Sequence, residues 1–130
     1  MEIQNDPRAL AVAYIDAVGQ KHFDRVAALL HPEVEFLTSG PSIRGVPAYV
    51  EALRRLAPII VRNDVQTTIV DGNDVAVLYD FVTDTPAGTV PTIEWITVAA
   101  GLIQSSRLIF HKGHWPAAVS ELTRRSNGAK

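Results

Sequence analysis

The feature that most limits what this chain can fold into is the stretch from Val75 to Val98, two alternating runs joined by Asp84-Thr85-Pro86-Ala87-Gly88. Side chains in a strand repeat every second residue. Ala76, Leu78, Asp80 and Val82 therefore share one face of the first run, and Thr92, Glu94, Ile96 and Val98 share one face of the second. Each run carries one acid among apolar neighbours. Antiparallel pairing about Ala87 sets Asp80 opposite Glu94, Leu78 opposite Ile96 and Ala76 opposite Val98, which matches apolar with apolar and leaves the two carboxyls facing each other. Like charges so placed repel, and the pair is expected to share a proton. A slip of one residue would instead put Tyr79, Phe81, Ile93 and Trp95 inside and both acids in solvent. The alternation by itself is nearly symmetric between the two.

At 130 residues the chain suits one domain with one core. We expect that domain to span residues 1–125, with 126–130 a loose tail. Lys and Arg number 12 against 14 Asp and Glu, with no long run of either sign, so the chain lacks the electrostatic footprint of a nucleic-acid or anionic-membrane binder. Cysteine is absent, which excludes disulfides, thiolate metal sites and cysteine nucleophiles. No stretch approaches the roughly 20 apolar residues of a membrane span, and the first residues lack the features of a signal peptide. A cytoplasmic protein is the expectation.

Asp6-Pro7 is a helix start, and Leu10, Tyr14 and Val18 with Ala11 and Ile15 form an apolar stripe that Gly19 stops. A second helix is predicted from about His22 to Leu30, ended by His31-Pro32. Val34, Phe36 and Thr38 alternate in a short strand closed by Ser39-Gly40-Pro41. Gly45-Val46-Pro47 opens a third helix to about Leu56, with Tyr49, Val50 and Leu53 inward. From Ile59 the chain turns to strand, with hairpin turns at Asp71-Gly72-Asn73-Asp74 and Ala99-Ala100-Gly101, a last strand over Leu102–Phe110, and a short helix from Pro116 to Arg125. Helices followed by a run of antiparallel strands is an α+β pattern. The sheet is expected to curve into a cone around three N-terminal helices, leaving an interior cavity.

This order of elements resembles the nuclear transport factor 2-like (NTF2-like) superfamily, in its SnoaL-like and ketosteroid-isomerase-like branch. The likeness rests on Ala13-Tyr14-Ile15, on Phe23-Asp24-Arg25-Val26-Ala27-Ala28-Leu29-Leu30-His31-Pro32-Glu33-Val34, on Arg44-Gly45 and on Arg107-Leu108-Ile109-Phe110. It covers nearly the whole chain and is specific for fold more than for function. Residue by residue, the resemblance implies that Tyr14 matches a helix-one tyrosine and that Glu94 falls where a ketosteroid isomerase keeps a protonated acid to support an oxyanion, an arrangement long used as a type case. The position of its base is held by Thr38, which cannot abstract a proton at neutral pH. An Asp-Arg-Asp arrangement of the limonene epoxide hydrolase kind would want an arginine at Thr92 and an acid near Leu108. Both mechanisms are disfavoured.

The likeness favours the acids inward. Asp80, Glu94 and Tyr14 are then the candidate catalytic residues, and Thr38, Phe36, Leu53, Leu78, Val82, Ile96 and Leu108 the candidate ligand-binding ones. Thr92, Gln104 and Ser106 are further inward polar candidates that would satisfy backbone or ligand. The implied activity is acid–base chemistry of an isomerase, dehydratase or cyclase type, without cofactor or metal, on a small apolar carbonyl compound. The alternative is a non-catalytic ligand-binding or accessory protein. In this orientation Tyr79, Phe81 and Trp95 lie on the outer face of the sheet, an aromatic patch that predicts a homodimer. His111 and His114 are three apart with no third ligand near, a weak zinc signal, and His111 is a candidate base at the cavity mouth.

Overall fold

The computed structural model describes residues 6–38, 40–110, 113 and 115–128. Helix α1 spans Pro7–Gly19, and the Asp6 carboxylate caps it by accepting from the amides of Arg8 and Ala9 at 3.1 and 3.3 Å. Its buried stripe is Leu10, Ala11, Tyr14, Ile15 and Ala17. Helix α2 (Phe23–Leu29) gives way directly to strand β1 (Leu30–Leu37), so His31-Pro32 sits inside the strand. Proline has no amide hydrogen to donate to a ladder, and the β1 register shifts between Leu30 and Glu35. After strand β2 (Ile43–Arg44), Gly45 at φ 87° turns the chain into helix α3 (Val46–Leu56), where Tyr49, Val50 and Leu53 are buried. A 3₁₀ turn at Ala57–Ile59 leads into β3 (Ile60–Asp71), β4 (Asp74–Thr83), β5 (Thr89–Ala99) and β6 (Leu102–Phe110). Helix α4 covers Trp115–Gly128, so residues 126–128, expected in a loose tail, continue that helix.

The six strands form one sheet in the order β2-β1-β6-β5-β4-β3. Every neighbouring pair is antiparallel except β1 and β6, which run parallel, so the sheet is mixed. It curves around α1 without closing. The main core gathers Leu10, Tyr14 and Ile15 of α1, Val26 of α2, Val34 of β1, Tyr49 of α3 and the inward residues Val75, Val77, Ile96 and Ile103. A smaller cluster at the other end joins Ile59, Ala87, Val90 and Ala118, with Phe81, Phe110, Trp115 and Leu122 packed on it. There Arg125 of α4 donates to the Pro58 carbonyl at 3.0 Å and to the Asp84 carboxylate at 2.8 Å. Those contacts tie α4 across the end of the sheet.

The β4–β5 pairing corrects the hairpin register drawn from the sequence. Val77 lies opposite Glu94, Tyr79 opposite Thr92 and Asp80 opposite Pro91. The turn decides this. The Thr83 amide donates to the Gly88 carbonyl at 3.0 Å, the Gly88 amide to the Thr85 carbonyl at 2.8 Å, and the Thr83 and Thr85 hydroxyls bond to one another at 2.8 Å. With Gly88 in the left-handed region at φ 63°, these bonds centre the hairpin between Thr85 and Pro86, one and a half residues before Ala87. Odd residues of β4 therefore pair with even residues of β5. Tyr79 joins Glu94 on the inner face, and Asp80, Leu78 and Val82 turn to the outer one. Neither register that the alternation suggests has that mixture, because each turns both strands together.

Gly19 proves to have a role other than ending α1. The helix is capped by Gln20 in the helical region and the reversal falls at Lys21, at φ 62°. What Gly19 permits is close approach, since a Cβ there would lie 2.7 Å from the Asn63 backbone nitrogen of β3. Gly19→Ala is expected to cost about 1–3 kcal/mol by forcing α1 from the sheet, whereas Gly40→Ala, with only the Thr38 hydroxyl 4.0 Å away, should stay within about 0.5 kcal/mol of wild type. Urea unfolding of both variants measures the contrast.

Candidate active site

The cone encloses a cavity of about 360 Å³. Its walls are Tyr14, Ile15 and Val18 of α1, Phe36 and Thr38 at the end of β1, Ala52, Leu53 and Leu56 of α3, and Ile60 and Asn63 of β3. Tyr79, Phe81, Thr92, Glu94, Leu108 and Phe110 supply the sheet side, and Trp115 of α4 stands at the end. A cavity so largely apolar with a few convergent polar groups is the usual form of a small-molecule site.

Among the described residues Glu94 is the one carboxyl on these walls, and it is only 4% exposed. Its place follows from β5, where Val90, Thr92, Glu94, Ile96 and Val98 alternate inward. Tyr79, opposite Thr92, is a diagonal neighbour and donates to Glu94 Oε1 at 2.8 Å. Ser106, opposite Ile96 on β6, is the diagonal neighbour on the other side and donates to Oε2. Tyr14 approaches the same carboxyl from α1 and bonds through its hydroxyl to that of Tyr49. The Tyr14 and Tyr49 rings meet edge to face with centroids 6.2 Å apart, and Phe36 packs on Tyr49 at 4.9 Å. One acid thus sits inside a shell of four hydroxyls that reach it directly or through Tyr14.

Burial pushes the Glu94 carboxyl above its ordinary 4.5, against the opposing pull of the hydrogen bonds from Ser106, Tyr79 and Tyr14. Burial first, and the Glu94 charge second, push the phenols of Tyr14, Tyr49 and Tyr79 up from 10.0. All three remain neutral hydrogen-bond donors at neutral pH. The result is a single proton-exchanging group with an elevated pKa among donors that stay protonated, an arrangement suited to supporting an oxygen that gains charge.

The sequence-derived candidates divide. Glu94 and Tyr14 meet at the cavity, and Phe36, Thr38, Leu53 and Leu108 line it. Asp80 does not join them. It lies on the outer face, opposite Asp64 and Pro91, and accepts from Gln66 at 3.3 Å. Leu78 and Val82 face the same way, and Ile96 is buried in the core outside the cavity wall. Thr92 and Ser106 are buried and Gln104 is exposed. Of the aromatic patch, Trp95 is outside at 47% exposure, beside Ile93 and Ile109, whereas Tyr79 and Phe81 line the cavity. Tyr79 was missed as a site residue because its face depended on the register; Tyr49 was legible only as a helix-stripe residue. His111 and His114 lie outside the described residues. Among the described residues no group of three or more His, Cys, Asp or Glu side chains could hold a metal ion, and no helix is long and apolar enough to cross a membrane.

Comparison with known proteins places this geometry in context. The family model of the SnoaL-like domain matches residues 11–106. No curated protein matches the chain. Among solved structures, a protein from Kribbella flavida DSM 17836 is 25% identical with TM-score 0.76, over 92% of this chain and 95% of that one. A steroid delta-isomerase from Pseudomonas aeruginosa is 16% identical with TM-score 0.76, over 99% and 96%. A candidate SnoaL-like polyketide cyclase from Jannaschia sp. CCS1 is 18% identical with TM-score 0.75, over 92% and 95%. The latter two likenesses carry the fold alone.

The raised Glu94 pKa has a consequence for stability. Between 4.5 and the raised value the folded chain holds a proton that the unfolded chain has lost, so stability falls as pH rises through that window. Glu94→Gln removes this equilibrium. Its stability relative to wild type is expected to grow as pH rises above 4.5, in urea unfolding at each pH. A constant difference across the range contradicts the assignment.

Proposed function

Because the chain belongs to the SnoaL-like domain family, we propose that it is an acid–base enzyme that moves a proton next to a carbonyl group in a small, largely apolar compound. The carrying observation is Glu94, a lone carboxyl on an apolar cavity, desolvated and held by hydroxyls on both oxygens. A desolvated carboxylate is a stronger base than a solvated one, and each of its oxygens has a lone pair beyond the one its protein donor uses. With Asp80 outside, no second acid among the described residues lines the cavity to take the other half of the task. Glu94 therefore removes the proton from carbon and returns it to a second position, the negative charge resting meanwhile on the carbonyl oxygen. Tyr14 donates to that oxygen. Tyr49, buried behind Tyr14, shares a hydroxyl hydrogen bond with it in which either oxygen can donate; with Tyr49 as the donor, the Tyr14 proton can turn from Glu94 to the ligand. The activities for which two fold relatives are named, a steroid delta-isomerase and a candidate polyketide cyclase, support the reading by analogy.

A second reading has its own observation. Both Glu94 oxygens are already satisfied by Tyr79 and Ser106, so the same groups could serve a protein that binds its ligand without turning it over. Exchange of the α-protons of tetralone, a compact two-ring ketone, followed by NMR in heavy water separates the two. The enzyme reading expects exchange that rises with pH through a value above 4.5, falls to background in Glu94→Gln, and drops about 100-fold in Tyr14→Phe. Binding with background exchange in the wild type would establish the second reading.

A further inference from the structure

The hydroxyls around Glu94 account for one end of the cavity, and the other end has a polar atom that no described residue satisfies. Asn63 of β3 lies opposite Phe81 and lines the cavity. Its Nδ2 donates to the Ile15 carbonyl at 3.1 Å, which settles which side of the amide is nitrogen and which is oxygen. Gly19 packs against the same side chain and holds it to α1. Among the described residues, Asn63 Oδ1 is the one buried side-chain polar atom without a hydrogen-bond partner. Such an atom in a native fold calls for an explanation, and a carbonyl oxygen can only accept.

The missing partner is therefore a donor, and the place of Asn63 says where on a ligand it belongs. Glu94 pairs with Val77, four residues along β4 from Phe81, and stands two strands from Asn63. Ordinary strand rise and spacing put the two backbones on the order of 15 Å apart. Their inward side chains shorten that gap towards the length of a two-ring molecule. A neutral amide with no acid beside it on the cavity wall suits a neutral hydroxyl better than an ammonium group.

We infer that Asn63 is a specificity-determining residue that accepts a hydrogen bond from a hydroxyl at the end of the ligand remote from its carbonyl, so that the substrate is a hydroxy-ketone. The carbonyl half of this statement rests on the reading of Glu94 and Tyr14 given above; the hydroxyl half rests on Asn63. Calorimetry with tetralone and with its hydroxy and methoxy derivatives, substituted on the ring away from the carbonyl, tests it. The hydroxy compound is expected to bind wild type about tenfold more tightly than tetralone, and the methoxy compound, which cannot donate, no more tightly. Asn63→Ala loses the preference, and Asn63→Asp, which keeps an acceptor while losing the bond to Ile15, retains it. A purely structural Asn63 would weaken all three ketones alike. Equal binding of tetralone and its hydroxy derivative to wild type, a result independent of whether either variant folds, overturns the inference and leaves the carbonyl reading standing. If none of the three binds, both fall, whereas a hydroxyl preference without α-proton exchange overturns only the catalytic reading.

Discussion

The structure turns on the removal of one carboxyl from water. Glu94 is on the central part of a strand whose neighbours in alternation are apolar, and an isolated ionised carboxylate in such surroundings would be costly enough to disfavour the fold. Donated hydrogen bonds from Tyr79 and Ser106, with Tyr14 close by, offset that cost without supplying a counter-charge. Among the described residues no basic side chain lies on the cavity wall, and this matters here. An arginine or lysine would pull the carboxyl below its usual range and leave a weak base; hydroxyls leave desolvation dominant and the pKa raised.

The shell can be assembled because three elements converge from different directions. The β4–β5 pairing places Tyr79 diagonal to Glu94, the β5–β6 pairing places Ser106 diagonal to it on the other side, and α1 lies across the concave face with Tyr14 pointing down. Each alignment depends on parity. One residue of slip in either ladder would exchange inner and outer faces and take a donor away from the acid. The threonine-rich turn between β4 and β5 is thus a determinant of the site despite lying far from it along the strands. Close contact of Gly19 with β3 has a similar standing, because it sets how far α1 sinks into the cone and so where Tyr14 and Asn63 stand.

Fold and chemistry are separable in this molecule. The curved sheet and its helices account for the SnoaL-like assignment and for the cavity, and they are shared with structures that have little sequence in common with it. The chemistry we propose depends on a few wall positions: Thr38 where a second acid could stand, Glu94 with its hydroxyls, and Asn63 at the opposite end. α4 completes the enclosure through Trp115 and is fastened by Arg125 to Asp84 and Pro58, so the length of ligand that fits is limited by a helix at the end of the chain.

Local signals in the sequence were enough to determine most of the elements, their order and the α+β class. Asp6-Pro7 caps a helix by its own chemistry, the α1 and α3 stripes repeat at helical spacing, and the turns at Gly72 and Gly101 need positive φ whatever surrounds them. The single apolar stripe of α1 identified Tyr14 as inward, whereas Glu94 was placed inward by the resemblance to SnoaL-like proteins, because the hairpin alternation by itself is nearly symmetric. Tertiary structure alone decided the partners of Glu94. β4 is apolar on both faces, so burying Tyr79 or Asp80 looks equivalent along the strand, and only hydrogen bonds within the turn and pairing with β3 and β5 break the tie. The unsatisfied Oδ1 of Asn63 was likewise invisible, because whether an amide is satisfied depends on what packs against it across the fold and not on its neighbours in the chain.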